Sequence, residues 1–215
     1  TAESDGRVYP VKDWSITSFS SQVMGYEVAV TPLQMAVACN VIASGGMYLP
    51  PTIMTEVRDS DGEMIQSTKD GGARPRRVLS EKAAKGVRHC MVETMSEGGT
   101  GTKAALPGYS IAGKTGTARK YVENHGYVGG RYIASFMGFL PAENPELLGL
   151  IVIDNPKVEG SEVYGGSVAA PIFKAIAQDA VKVLEIAPDR PDELLSEALS
   201  EVVSTDSVTQ GGLGR

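Results

Sequence analysis

Gly108-Tyr109-Ser110-Ile111-Ala112-Gly113-Lys114-Thr115-Gly116-Thr117-Ala118 decides the fold, because it reads in two incompatible ways. From Gly108 to Thr115 it matches the G-x-x-x-x-G-K-[ST] phosphate loop letter for letter, and Leu150-Ile151-Val152-Ile153-Asp154 offers an apolar strand ending in a Mg²⁺-type carboxylate. Such a loop works only where a strand leads in and a helix leaves, so that free helix N–H groups face the phosphates. Lys103-Ala104-Ala105-Leu106-Pro107 is too short and proline-ended for that strand. Tyr109 and Ile111 are bulky where backbone should approach phosphate, and Gly116, Gly126, Gly129 and Gly130 oppose a following helix. The other reading is a strand from Tyr109 to Ala118 with Lys114-Thr115-Gly116-Thr117 along its exposed edge. Lysine charge beside two hydroxyl donors suits a carboxylate, at about 1.5–3 kcal/mol per charge-assisted bond. Gly116 removes a side chain where a substrate backbone would lie.

Outward from this stretch the pattern predicts an antiparallel meander. Tyr132 to Leu140 alternates, with Tyr132, Ala134, Phe136 and Leu140 on one face and Ile133, Met137 and Phe139 on the other. Leu147 to Asp154 is nearly all apolar, which predicts a central, buried strand, and Pro141 to Pro145 is a short turn that makes the two antiparallel. The glycines at 126, 129 and 130 predict a flexible connection from Arg119 to Arg131, either a lid or a plain hairpin loop. Upstream, Thr31-Pro32 starts a helix with Leu33, Val37 and Val41 on its stripe, ended by Gly45-Gly46. A strand-rich, turn-punctuated stretch follows through Arg76. Ser80 caps a second helix with Ala83, Val87, Cys90, Met91 and Thr94 inward, closing at Gly98-Gly99. After Gly165-Gly166 a long helix runs to about Ile186 and buries Phe173, Ile176, Ala177, Ala180 and Leu184. Helices, a meander and a covering helix make an α+β fold. Residues 1–186 form one domain, and Pro188 and Pro191 open an acidic, flexible linker and tail over 187–215.

The chain has 215 residues, 42% hydrophobic and 21% charged, enough for one sizeable core. Much of its net charge of −6 sits in that tail, where Asp189, Asp192, Glu193, Glu197, Glu201 and Asp206 outnumber Arg190 and Arg215. No basic surface for nucleic acid results. Cys39 and Cys90 lack metal-ligand spacing and read as buried free thiols. His89 and His125 have no third ligand, so no metal site is expected, and Asp154 reads as a turn residue. The longest apolar run is too short for a membrane span and no signal peptide is visible. A first residue Thr1 points to a processed or truncated chain.

Ile111 to Ala118 resembles the third active-site box of class B penicillin-binding proteins, the peptidoglycan D,D-transpeptidases, whose other boxes are S-x-x-K and S-x-N. Gly25-Tyr26 with Val30 to Ala36, Gly99-Thr100-Gly101-Thr102, Ser135 to Pro141, and Tyr164-Gly165-Gly166 through Phe173 resemble other segments of that family in the same order. The resemblance implies the fold of penicillin-binding proteins and serine β-lactamases, an antiparallel sheet covered by helices. It implies acyl transfer from D-Ala-D-Ala stem peptides through a serine, with β-lactams as mimics and no cofactor. Lys114 would stabilise charge, Thr115 and Thr117 would bind the carboxylate beside Gly116, and the Thr117 N–H would be half of an oxyanion hole. The parent would be membrane-anchored on the periplasmic side, with division or elongation machinery. No lysine here follows a serine at three residues and no Ser-x-Asn occurs, so the nucleophile is expected outside this chain and the chain alone to be inactive. A stand-alone non-catalytic binding module of the same fold is the alternative from another class.

Overall fold

The computed structural model describes residues 4–67, 74–122, 126–158 and 163–196. The chain opens with β1 (Arg7–Val8), α1 (Ser18–Val23) and β2 (Val28–Ala29), β1 and β2 pairing antiparallel. Helix α2 (Pro32–Ala43) starts where the sequence predicts. The Thr31 hydroxyl accepts from the Gln34 N–H at 3.1 Å while Gln34 Oε1 accepts from the Thr31 N–H at 2.9 Å, a reciprocal capping box. The next stretch holds only short strands: β3 (Met47–Tyr48) pairs with β6 (Arg76–Arg77), and β4 (Glu56–Arg58) with β5 (Met64–Ser67). Helix α3 (Glu81–Glu93) is capped by Ser80, whose hydroxyl accepts from the Ala83 N–H at 3.2 Å.

The body is one antiparallel sheet in the order β7-β8-β9, from β7 (Ala112–Val122), β8 (Gly126–Leu140) and β9 (Leu147–Asp154). Strand β8 is therefore the middle one, and the expectation that Leu147–Asp154 is central fails among the described residues. That run is apolar because both its faces meet helices, α2 on one and the last helix on the other. Over its described residues the Arg119–Arg131 connection is strand rather than loop. Both strands run into it, pairing as far as Val122 with Gly126, with a register shift between Arg119 and Tyr121. Residues 123–125, with His125, lie outside the described residues.

Two cores flank the sheet, as the two-sided alternation of β8 requires. Phe136 and Leu140 join Ala104, Leu106, Ile111, Phe173, Ala177 and Val181 on one side. Phe139 joins Cys39, Ala43, Met91, Ala112 and Ala142 on the other. Phe136 and Phe139 are wholly buried, about 1.5–3 kcal/mol each from area removed from water. The final helix is broken at Ala169 into α4 (Gly165–Val168) and α5 (Ala170–Val183). Its buried face is Ala170, Phe173, Ala177 and Val181, leaving Ile176 and Leu184 exposed, a rotation from the predicted stripe. Gly149 explains it: a Cβ there would come within 2.9 Å of the Phe173 ring, so the ring settles on the glycine and fixes the helix azimuth. Helix α3 is rotated too. Ala84 and Met91 are its buried residues, Val87 faces out, and Cys90 is exposed rather than buried.

Beyond α5, residues 186–196 turn back on the segment before β7. The Tyr109 hydroxyl donates to Ile186 O at 2.8 Å, Arg190 N–H to Gly108 O at 3.0 Å, and Gly108 N–H to Glu193 Oε2 at 3.3 Å. Gly108 has φ +85°, and a Cβ there would meet Leu194 at 2.7 Å, so the turn needs glycine twice over.

Candidate active site

The Lys114–Thr117 segment lies within β7, at the edge of the sheet, in register with Met137, Phe136, Ser135 and Ala134. Strand period two puts Lys114 and Gly116 on the face of Met137, Ser135 and Leu150, and Thr115 and Thr117 on the opposite face. With no helix after it, Lys114-Thr115 is not a phosphate loop, and the Asp154 carboxylate is taken by Lys120 at 2.6 and 2.8 Å. A cleft of about 450 Å³ opens over Lys114 to Ala118, with Ser135, Met137 and Leu150 on its floor and Val23 to Tyr26 and Met35 opposite. A larger hollow of about 600 Å³ lies between α3, Thr102 to Ile111, Lys174 and residues 190–196. None of Lys114 to Thr117 lines it, whereas all four line the smaller cleft.

The free flank of β7 is braced rather than bare. Thr94, capping α3, donates its hydroxyl to Gly113 O. In an antiparallel strand each residue turns N–H and C=O the same way and alternate residues repeat it. Gly113 faces outward, so Thr115 and Thr117 present their main-chain groups to the same open side. Lys114 Nζ donates to Thr115 O at 3.0 Å. The Thr115 hydroxyl donates to Thr100 Oγ1 at 2.9 Å, and Thr117 Oγ1 accepts from the Gly165 N–H at 3.1 Å. Accepting that bond leaves the Thr117 O–H proton to give elsewhere. The arrangement offers one ammonium, one donating hydroxyl and outward main-chain donors along one strand edge.

The Penicillin binding protein transpeptidase domain model matches residues 1–178. The chain belongs to the penicillin-binding transpeptidase family. It is 33% identical over 189 residues to the probable peptidoglycan D,D-transpeptidase PenA of Neisseria meningitidis, covering 88% of this chain and 30% of that protein. It is 36% identical over 183 residues to peptidoglycan D,D-transpeptidase FtsI of Escherichia coli, covering 85% of this chain and 28% of FtsI. Penicillin-binding protein 3 of Mycobacterium tuberculosis, solved in complex with aztreonam, superposes with a TM-score of 0.76 at 32% identity, covering 88% of this chain and 43% of that one. The transpeptidase chain thus spans about three-tenths of the curated relatives it matches.

In this transpeptidase fold every residue expected at the site comes together, since all are consecutive on β7. The reading missed their supports: Thr94, Thr100, Ser135 and Gly165. Gly116 is held by packing, because a Cβ there would meet Ser135 Oγ at 2.5 Å. A Cβ on Gly165 would meet Ser135 O at 2.1 Å, so α4 is pressed against the strand pair. Their sequence signals were indirect: Thr94 stood on the inward stripe of the second helix, and Thr100, Ser135 and Gly165 fall in segments that resemble the family. Among the described residues no group of His, Cys, Asp or Glu is placed to hold a metal, and His89 is an exposed residue of α3. Burial, then the nearby Asp189 charge, raise the Tyr109 pKa.

Proposed function

We propose that this chain carries the substrate strand of a serine-type, penicillin-binding D,D-transpeptidase that cross-links peptidoglycan peptides, the nucleophilic serine lying elsewhere in a longer polypeptide. The observation that carries the reading is the edge placement of β7, whose Lys114, Thr115, Gly116 and Thr117 all line one cleft. The stem peptide's penultimate D-Ala carbonyl is attacked by the serine. The Thr117 N–H serves as one oxyanion donor, and the loss of one such donor costs on the order of 10²–10³ in rate. Thr115 and Thr117 take the terminal carboxylate beside Gly116, and Lys114 balances the charge. A β-lactam, presenting the same carboxylate and a strained carbonyl, enters by the same contacts. The family relation supports a membrane-anchored parent at the periplasmic face, working with division or elongation proteins. No helix among the described residues is itself long and apolar enough to cross a membrane.

Fluorescent-penicillin labelling of source membranes, beside an antibody to this segment, tests the assignment. A labelled band well above 22.6 kDa is expected. An unlabelled band at 22.6 kDa makes the chain a free-standing binding module instead. In the full-length protein Lys114→Ala should slow labelling about a hundredfold or more; unchanged labelling kinetics would remove Lys114 from the site.

A further inference from the structure

Strand β7 is held on its inner flank by β8 from Ala112 onward, on its outer flank by Thr94 at Gly113, and on one face by Thr100 at the Thr115 hydroxyl. Ser110 lies before that pairing begins. It is 6% exposed, and its bonds go to two places. Ala142, just past the end of β8, donates its N–H to both Ser110 O at 3.0 Å and Ser110 Oγ at 2.9 Å. Asp189 takes the other two donors: Oδ1 accepts the Ser110 N–H at 2.8 Å, and Oδ2 accepts the Ser110 hydroxyl. Every polar group of Ser110 is thereby used, and both of its donors end on one carboxylate. On the far side of Ala142, Arg88 of α3 reaches its carbonyl at 3.4 Å and Glu143 O at 3.2 Å. A chain of bonds thus runs Arg88–Ala142–Ser110–Asp189 across the end of the sheet.

We infer that Asp189 is a positioning residue for the reaction, which fixes the start of β7 through Ser110 and so sets where Lys114 and Thr115 stand in the cleft. This rests on the transpeptidase reading above. Lys114 is four residues along an extended strand from Ser110, about 13 Å, with two residue pairs of β8 between them. Two geometric facts favour a positional over a merely cohesive role. The contact meets the strand where β8 no longer holds it. A two-oxygen carboxylate gripping the N–H and O–H of one residue also fixes orientation as well as distance. Misplacing a reacting group by an ångström can cost two orders of magnitude in rate; a slackened anchor four residues away should cost about one.

The test is stopped-flow acylation of the full-length protein by a fluorescent penicillin, separating the first-order acylation constant from the initial binding constant. Asp189→Ala should lower the acylation constant about tenfold. Ser110→Ala loses the hydroxyl bond but keeps the main-chain N–H bond to Asp189, so it should lower the constant about threefold, and the double variant should be no worse than Asp189→Ala within about twofold, because the two residues act as one unit. Asp189→Asn keeps one acceptor for the Ser110 N–H and should recover part of the loss, about threefold; it also serves if the alanine variant does not fold. Val41→Ala, buried in α2 away from this network, is the control for instability. It should leave the acylation constant unchanged at a matched loss of Tm. The proposal is overturned if Asp189→Ala and Asp189→Asn both acylate within twofold of the parent, if Val41→Ala slows acylation as much, or if the Asp189 and Ser110 effects multiply. A wild-type protein that takes no label at all defeats the transpeptidase reading itself, and this inference with it.

Discussion

The sheet region and the N-terminal stretch solve the burial problem differently. From Ala104 to Ile186 the apolar side chains converge on a core built from the segment's own buried residues, centred on Phe136 tilted against Phe173 with ring centroids 4.9 Å apart. Residues 4–67 instead carry two- to four-residue strands and leave Ile16, Phe19, Val23, Met24 and Ile53 outward, Ile16 and Ile53 fully so. Outside α2, whose Cys39 and Ala43 join the second core, order there comes from turns and caps such as Thr31–Gln34, which satisfy backbone but bury little. Stability is thus concentrated in one part, while the other offers surface. Exposed apolar side chains in such numbers belong to a contact face more than to a solvated one.

Phe136→Ala is the strongest way to break this contrast. Removing a fully buried ring from the middle strand should cost about 3–5 kcal/mol in urea unfolding, and a loss below 1 kcal/mol would mean the sheet is not the stability centre. The two thiols sharpen it chemically. Burial pushes Cys39 up to about 11 from 9.0, while Cys90 is exposed. At pH 8 that shift alone leaves about a hundredfold less thiolate, so mass spectrometry should find Cys90 alkylated in the folded protein and Cys39 only after denaturation. Equal rates would refute the packing of α2. Because the folded pKa is the higher one, the neutral thiol's contribution to stability is complete below about pH 9 and is lost as pH rises through about 11. Thr31→Ala should cost about 1 kcal/mol through the lost cap; no change would show that α2 owes nothing to it. Ile53→Ser should move stability by less than about 0.5 kcal/mol, and a larger loss would mean that Ile53 is covered.

Helix starts and the key strand were legible because their determinants are local: Thr31-Pro32, Ser80, and the alternation through Phe136 and Leu140. Strand order was not. An all-apolar run records burial on two faces and is silent on which element provides it, so β9, sandwiched by helices, read like a middle strand. Helix azimuth failed for a related reason. Small residues decide which side can approach a sheet, and Ala84, Ala170 and Gly149 are weak in any hydrophobic pattern. Lys114, Thr115 and Thr117 were readable as neighbours in sequence. Thr94, Thr100 and Gly165 reach them only through tertiary structure.

The contact between Ser110 and Asp189 joins positions 79 apart in the chain, and β7, β8, β9 and α5 all lie within the loop it closes. Tension applied at Ser196 therefore reaches Ser110 before it reaches α5 or the cores. The bonds at Gly108, Tyr109 and Ser110 stand in series along that path and would peel in turn. The mechanical fuse of the C-terminal end sits at the head of the strand that carries Lys114.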